Sequence, residues 1–226
     1  MSSPRYIFDI DGTLVPTQHV DNDCYWQAVH QVFGTAAETL DLHGFEHVSD
    51  SGIFAEWCAR TLQRPATAAE QEAVRNSFLQ LLKAAYAVEP ASFQPLPGAA
   101  DFLHSQPPGR LALATGGWRH TARFKLHCAG LDRFKLPLSC SDDAMARTDI
   151  MRQAEQRLET GPTPIYFGDG LWDLAAARSL GWGFVGIAHG PQADALRAAG
   201  ARLVAADFCQ LTGQELNPIT TAIKDS

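Results

Sequence analysis

The chain has 226 residues, 46% hydrophobic and 19% charged, with a net charge of -7 and an isoelectric point near 5.5. That is enough apolar chain for a sizeable core, as one large domain or a core with an insertion, and an acidic chain with no basic block argues against nucleic acid as a partner. Any anionic substrate must then be held by a local device, such as a metal ion, rather than by the overall field.

The cysteines, Cys24, Cys58, Cys128, Cys140 and Cys209, are odd in number and include no C-x-x-C. They read as reduced, mostly buried thiols of a cytosolic protein, not as a disulfide frame or zinc site. The start, "MSSPRYIFDI", lacks a signal-peptide hydrophobic region, and no apolar run approaches the roughly 18 residues of a membrane span. The reading is a soluble, cytoplasmic protein.

In chain order, Tyr6–Ile10 is the first short apolar run of the buried parallel-strand type. Three segments of helical spacing follow: Asp23–Phe33, Gly52–Leu62 and Ala68–Val88, the last with Phe78, Leu81, Leu82 and Ala85 on one face. The proline-rich "EPASFQPLPG" then reads as a return linker. After it strands and helices alternate. Helix Gly98–Ser105 precedes strand Leu111–Ala114, and helices Arg119–Ala129 and Thr148–Glu159 lead to strand Ile165–Phe167. Helix Leu171–Leu180, strand Gly183–Ile187, helix Gln192–Ala199 and a weaker strand, Leu203–Ala206, complete the series. Gly130, Gly181 and Gly200 stand where helices stop. The alternation predicts a doubly wound α/β parallel sheet with an all-helical insertion after its first strand.

Three strand ends carry chemistry. In "FDIDGTL", Asp9 and Asp11 lie two apart and so share a face of the strand, beyond the carboxyl end where ligands sit in such sheets. Two carboxylates there repel unless a cation neutralises them, and oxygen ligands suit Mg²⁺. The same residues also read as a strand ending in an Asp-Gly turn. In "LALATGGW", Thr115 and the amides after it form a site for phosphate oxygens, or Thr115 is a helix N-cap. In "IYFGDGLWDLAAA", Asp169 offers a further Mg²⁺ ligand and Asp173 a partner that orients it; both also suit a helix N-terminus.

Taken together, the three sites resemble the haloacid dehalogenase-like (HAD) superfamily of phosphohydrolases. Its first motif, D-x-D-G-T, is matched by Asp9–Thr13, its second by Thr115, and its fourth, G-D-x-x-x-D, by Gly168, Asp169 and Asp173. The third, a Lys or Arg, is matched in position by Arg147, with Lys125 and Lys135 as alternatives. The resemblance implies a Rossmann-like HAD core over residues 1–14 and 94–226 and a helical C1 cap domain over residues 15–93. It further implies that Asp9 attacks phosphorus and that Asp11 protonates the leaving oxygen and then activates water. Mg²⁺ would be held by Asp9, the Asp11 carbonyl and Asp169, with Asp173 behind them. Thr115, the Gly116 amide and Arg147 would hold the phosphoryl oxygens.

Members that dehalogenate lack an acid at the position of Asp11, so the resemblance favours a phosphatase acting on a small phosphorylated metabolite. A phosphomutase shares the same core residues. A phosphoacceptor switch, against which the large insert and Asp11 speak, and a binding protein without turnover, against which the complete set of acidic motifs speaks, are the readings from other classes. The loop Asp41–Ile53 is the candidate for substrate contact, through His47 and Asp50. His43 and His47 stand at i, i+4 as a conceivable zinc pair, without an evident third ligand. Trp57, Phe54 and Phe78 read as cap core. The expected assembly is a monomer or homodimer, with no membrane or nucleic-acid partner.

Overall fold

The computed structural model describes residues 3–34, 44–211, 216 and 219. Strands β1 (Tyr6–Phe8), β2 (Leu111–Ala114), β3 (Leu138–Ser139), β4 (Ile165–Gly168), β5 (Gly183–Ile187) and β6 (Val204–Ala205) form one sheet. All neighbours are parallel, in the order β3-β2-β1-β4-β5-β6. From β1 the chain winds outward in one direction through β2 and β3, then returns and winds the other way through β4. The reversal opens a crevice at the C-terminal ends of β1 and β4.

Between β1 and β2 lie α1 (Gln18–Phe33), α2 (Asp50–Trp57), which runs on as one π-helical turn over Cys58–Leu62, and α3 (Ala68–Val88). Helix α3 starts in a capping box. The Thr67 hydroxyl accepts from the Glu70 amide, and the Glu70 carboxylate accepts from the Thr67 amide at 2.8 Å. These helices bury their own hydrophobic cluster, to which Trp26, Phe54, Trp57, Phe78 and Phe93 belong. Phe54, Trp57 and Phe78 are thus core residues, as read. Trp118, from the sheet side, is fully buried in the same cluster and joins the insert to the sheet. The outgoing and returning connections are tied side by side where the Leu96 amide donates to the Leu14 carbonyl at 2.9 Å.

Helices α4 (Ala99–Ser105) and α5 (Arg119–Cys128) cover one face of the sheet, and α6 (Arg147–Glu155), α7 (Leu171–Ser179) and α8 (Gly190–Ala198) the other. Strand alternation supplies each face: Tyr6, Phe8, Leu113 and Phe167 enter the first core, and Ile7, Ala112, Ala114 and Tyr166 the second. Burial on both faces explains why the strands are continuous apolar runs rather than alternating ones.

Several bounds differ from the sequence reading, each for a local reason. Strand β1 stops at Phe8 rather than Ile10, because the Ile10 carbonyl accepts from the Leu14 and Val15 amides at 2.9 and 3.0 Å and closes a tight turn. Helix α1 begins at Gln18 rather than Asp23. Helix α6 ends at Glu155 rather than Glu159, since the Glu159 amide is drawn off to the Gly109 carbonyl at 3.0 Å. Strand β3 was not read at all: it is two residues long and pairs only with β2. Among the described residues no helix is long and apolar enough to cross a membrane.

Candidate active site

The register places the motif loops on one rim. Phe8 is paired with Leu113 on one side and Phe167 on the other, so the residues that follow, Asp9, Thr115 and Asp169, leave the sheet together. The Asp9 amide extends the pairing by donating to the Phe167 carbonyl at 2.9 Å. The chain then turns through Gly12 at φ +75°, where a Cβ would lie 2.2 Å from Asp169 Oδ2. Only glycine allows both that backbone and that approach.

Asp9, Asp169 and Asp173 are all buried, and their carboxylate oxygens lie within 4.8 Å of one another. Asp9 Oδ1 accepts from the Ile10 amide at 2.8 Å. Arg147, the first residue of α6, puts Nη1 3.3 Å from Asp9 Oδ2 and Nε 3.5 Å from Asp173 Oδ1. Its approach depends on Gly116, where a Cβ would stand 2.9 Å from Nη2. Asp173 Oδ2 accepts from the Gly170 amide at 3.0 Å. Gln192 donates through Nε2 to both the side chain and the carbonyl of Asp169, at 2.9 Å each. Burial lifts the Asp9 carboxyl to about 7, with Arg147 opposing the rise. Three buried carboxylates face one guanidinium, which leaves an excess of two negative charges on an all-oxygen donor set. That arrangement fits a hard divalent cation such as Mg²⁺.

Asp11 does not join this cluster. The strand alternation that would aim it beside Asp9 ends at Phe8, and its side chain meets other partners. Oδ2 accepts from Lys125 Nζ at 2.5 Å and Oδ1 from the Thr17 hydroxyl at 2.5 Å. Lys125 is fully buried on α5 and also donates to Asp21 of α1 at 2.6 Å. Burial works against its charge, but Asp11 and Asp21 outweigh it and hold the ammonium above its ordinary value. Of the three cations singled out in the sequence, Arg147 thus meets Asp9 and Lys125 meets Asp11. Lys135 lines a different cavity, with Arg123 and Pro137.

Thr115 is buried, and its hydroxyl accepts from the Gly117 amide at 3.2 Å. Asp9, Asp11, Thr115, Gly116, Arg147 and Asp169 line one cavity of about 100 Å³. The insert closes over it. Asp50 donates its amide to the Gly116 carbonyl at 2.8 Å and accepts from the Trp118 amide at 2.7 Å. Ser49 donates to the Met145 carbonyl at 2.7 Å, and Arg75 pairs with Asp142. Asp50 lines the cavity; His47 does not, and its side chain is 38% exposed. The conceivable zinc partner, His43, lies outside the described residues. The sequence reading missed Asp21 and Gln192. Asp21 could have been found as the acidic first-turn residue of a helix entered through Pro16-Thr17, and Gln192 as a polar residue in the first turn after a strand end.

Burial also lifts Asp50 to about 7. A carboxyl raised in the fold above its unfolded value near 3.9 makes the native state bind more protons between about pH 4 and 7. Stability therefore falls as pH rises through that window, by up to about 1.4 kcal/mol per pH unit per group. Glu70, held down at about 2 by its hydrogen bonds to Arg64, titrates below it. In metal-free protein, Tm should drop between pH 5.5 and 8, and added Mg²⁺ should raise it more at pH 8 than at pH 6. A Tm that climbs across the window, or a Mg²⁺ effect blind to pH, would contradict this account of the cluster.

A doubly wound parallel sheet with carboxylates converging at its switch point under a helical insert defines an α/β architecture with a ligand crevice at its rim. The chain belongs to the haloacid dehalogenase-like hydrolase family, whose sequence model matches residues 5–181. No curated protein matches the chain. Among solved structures it is similar to a HAD hydrolase, family IA, variant 3, from Entamoeba histolytica, at 17% identity and TM-score 0.71 over 98% of this chain and 100% of that one. It is also similar to CbbY from Rhodobacter sphaeroides in complex with phosphate, at 19% identity and TM-score 0.68 over 96% and 100%. A third likeness is to a predicted phosphoglycolate phosphatase from Haemophilus somnus, at 18% identity and TM-score 0.62 over 92% and 96%. These likenesses establish the fold.

Proposed function

We propose that the protein is a Mg²⁺-dependent phosphatase that hydrolyses a small phosphorylated metabolite through an aspartyl-phosphate on Asp9. The observation that carries this is the pair of separately anchored carboxylates on one cavity. Asp9 lies beside Arg147 and within reach of Asp169, while Asp11 is held apart by Lys125 and Thr17. One carboxylate is thus left for attack and the other for proton transfer. A phosphate complex and a predicted phosphatase among the structural neighbours fit the same reading.

In this mechanism an Asp9 oxygen forms a bond to phosphorus as the bond from phosphorus to the leaving oxygen breaks. Asp11 gives that oxygen its proton. Asp11 then takes a proton from water as the water oxygen bonds to phosphorus, which releases phosphate and frees Asp9. Arg147, the Thr115 hydroxyl and the Gly116 amide hold the phosphoryl oxygens and stabilise their charge. Mg²⁺, held by Asp9, Asp169 and the Asp11 carbonyl with Asp173 behind them, would neutralise the phosphoryl oxygens further. Residues 15–93 act as the cap, and residues 1–14 and 94–226 carry the chemistry.

Phosphate release from p-nitrophenyl phosphate tests the reading. It should occur with Mg²⁺, fall about 100-fold or more in EDTA, and return when Mg²⁺ is restored. Turnover indifferent to EDTA overturns the metal assignment, and no release under any condition overturns the reading.

A further inference from the structure

The cap side of the cavity is built mainly from α1. Gln18, Asp21, Asn22 and Tyr25 follow one another at i, i+3, i+4 and i+7, so one face of the helix looks into the site. Their hydrogen bonding is uneven. Asp21 is taken by Lys125, and the Tyr25 hydroxyl donates to the Asp50 carbonyl at 3.0 Å. The half-buried Gln18 and Asn22 make no side-chain hydrogen bond to the described chain, and the indole N–H of Trp26, a residue that also lines the cavity, is buried without a partner.

No cap cation reaches this space. Residues 15–93 contain four Lys or Arg side chains, Arg60, Arg64, Arg75 and Lys83. Arg60 donates to the Gly44 carbonyl and pairs with Glu56. Arg64 pairs with Glu70 and Arg75 with Asp142. Lys83 is exposed on α3. None of the four lines the cavity. Residues 35–43, "TAAETLDLH", contain no Lys or Arg either. The cations at the site, Arg147 and Lys125, are engaged by Asp9 and Asp173 and by Asp11 and Asp21.

A second phosphate or a carboxylate on the substrate would therefore find no free cation on this wall, and a charge buried without a countercharge is rejected. A cationic amine fares no better. Asp21 is already neutralised by Lys125, and Asp50 is already bound to the Trp118 amide. What the wall offers is neutral: two amides that both donate and accept. The cavity, about 100 Å³, is far below the roughly 300–1,000 Å³ of sites for drug-sized ligands.

We propose that the leaving group is small, uncharged and hydroxyl-bearing, so that the substrates are phosphomonoesters with a single anionic group, of the polyol or sugar monophosphate class. Bisphosphates, phosphorylated carboxylic acids and phosphorylated amines are selected against. This rests on the phosphatase reading above and names its substrate class.

The test is phosphate release by the full chain with Mg²⁺ from a matched set: a sugar monophosphate, the corresponding bisphosphate, phosphoglycolate, phosphoethanolamine and p-nitrophenyl phosphate. The monophosphate should exceed the bisphosphate, phosphoglycolate and phosphoethanolamine in kcat/KM by at least about 100-fold. Asn22→Arg should move the bisphosphate-to-monophosphate ratio at least about tenfold toward the bisphosphate, since it installs the missing cation. Gln18→Ala should lower the ratio of sugar monophosphate to p-nitrophenyl phosphate. If the bisphosphate, the acid or the amine is used as well as the monophosphate, the inference is wrong and the phosphatase reading stands. If nothing in the set is hydrolysed, p-nitrophenyl phosphate included, the phosphatase reading itself fails.

Discussion

Asp9→Asn is expected to lower kcat by about 10⁴-fold or more while the protein keeps its fold. The amide matches the carboxylate in size but is not a nucleophile toward phosphorus. Its effect on stability should be small and of mixed sign. The native carboxylate is buried and repelled by Asp173 and Asp11, so neutralising it relieves strain in the charge distribution. Against this, Arg147 loses a charged partner at 3.3 Å and keeps Asp173 at 3.5 Å. The fall of Tm between pH 5.5 and 8 should flatten in the variant, because one raised carboxyl has been removed. Turnover and Tm measured on the same preparation separate a chemical loss from a folding loss. Undiminished turnover would reassign the nucleophile.

Lys125→Met should be the most destabilising single change near the site. The ammonium is fully buried and holds two carboxylates, Asp11 at 2.5 Å and Asp21 at 2.6 Å. Removing it strands both in a site closed by the cap. Breaking a buried pair in this way costs about 3–5 kcal/mol, which for a chain of this size lowers Tm by roughly 6–20 °C. It also removes an ion pair between α5, on the sheet side, and α1 of the cap. Adding Asp21→Asn should restore part of the loss, because one of the two stranded charges is then gone, and a double-mutant cycle gives the coupling. Independent, additive losses from the two changes would show that the triad is not a unit.

The sheet was legible because its strands are buried on both faces. The runs Leu111–Ala114 and Gly183–Ile187 have their observed bounds in the sequence alone. Short β3 was hidden, since two residues carry no period. In the site, the motif spacing pointed to the rim where Asp9, Thr115 and Asp169 leave the sheet. It did not give the direction of Asp11, because that depends on a turn closed by the Ile10 carbonyl. Lys125 was visible only as a candidate cation in a polar helix. Its burial against Asp11, far away in sequence, is a tertiary fact. The cap face of Gln18, Asp21 and Asn22 lies before Asp23, where the sequence pattern places the start of α1. The first turn of that helix is polar toward the cavity as well as toward solvent, so its periodicity is weak. Thr17, the residue that would announce the helix, gives its hydroxyl to Asp11 rather than to a cap bond.

The most direct test of the mechanism is to stop the wild-type reaction in acid during turnover and map covalent phosphate on its peptides by mass spectrometry. A phosphoryl group on Asp9, absent from Asp9→Asn, is the predicted result. Turnover with no covalent phosphate, or with phosphate on any other side chain, would contradict it.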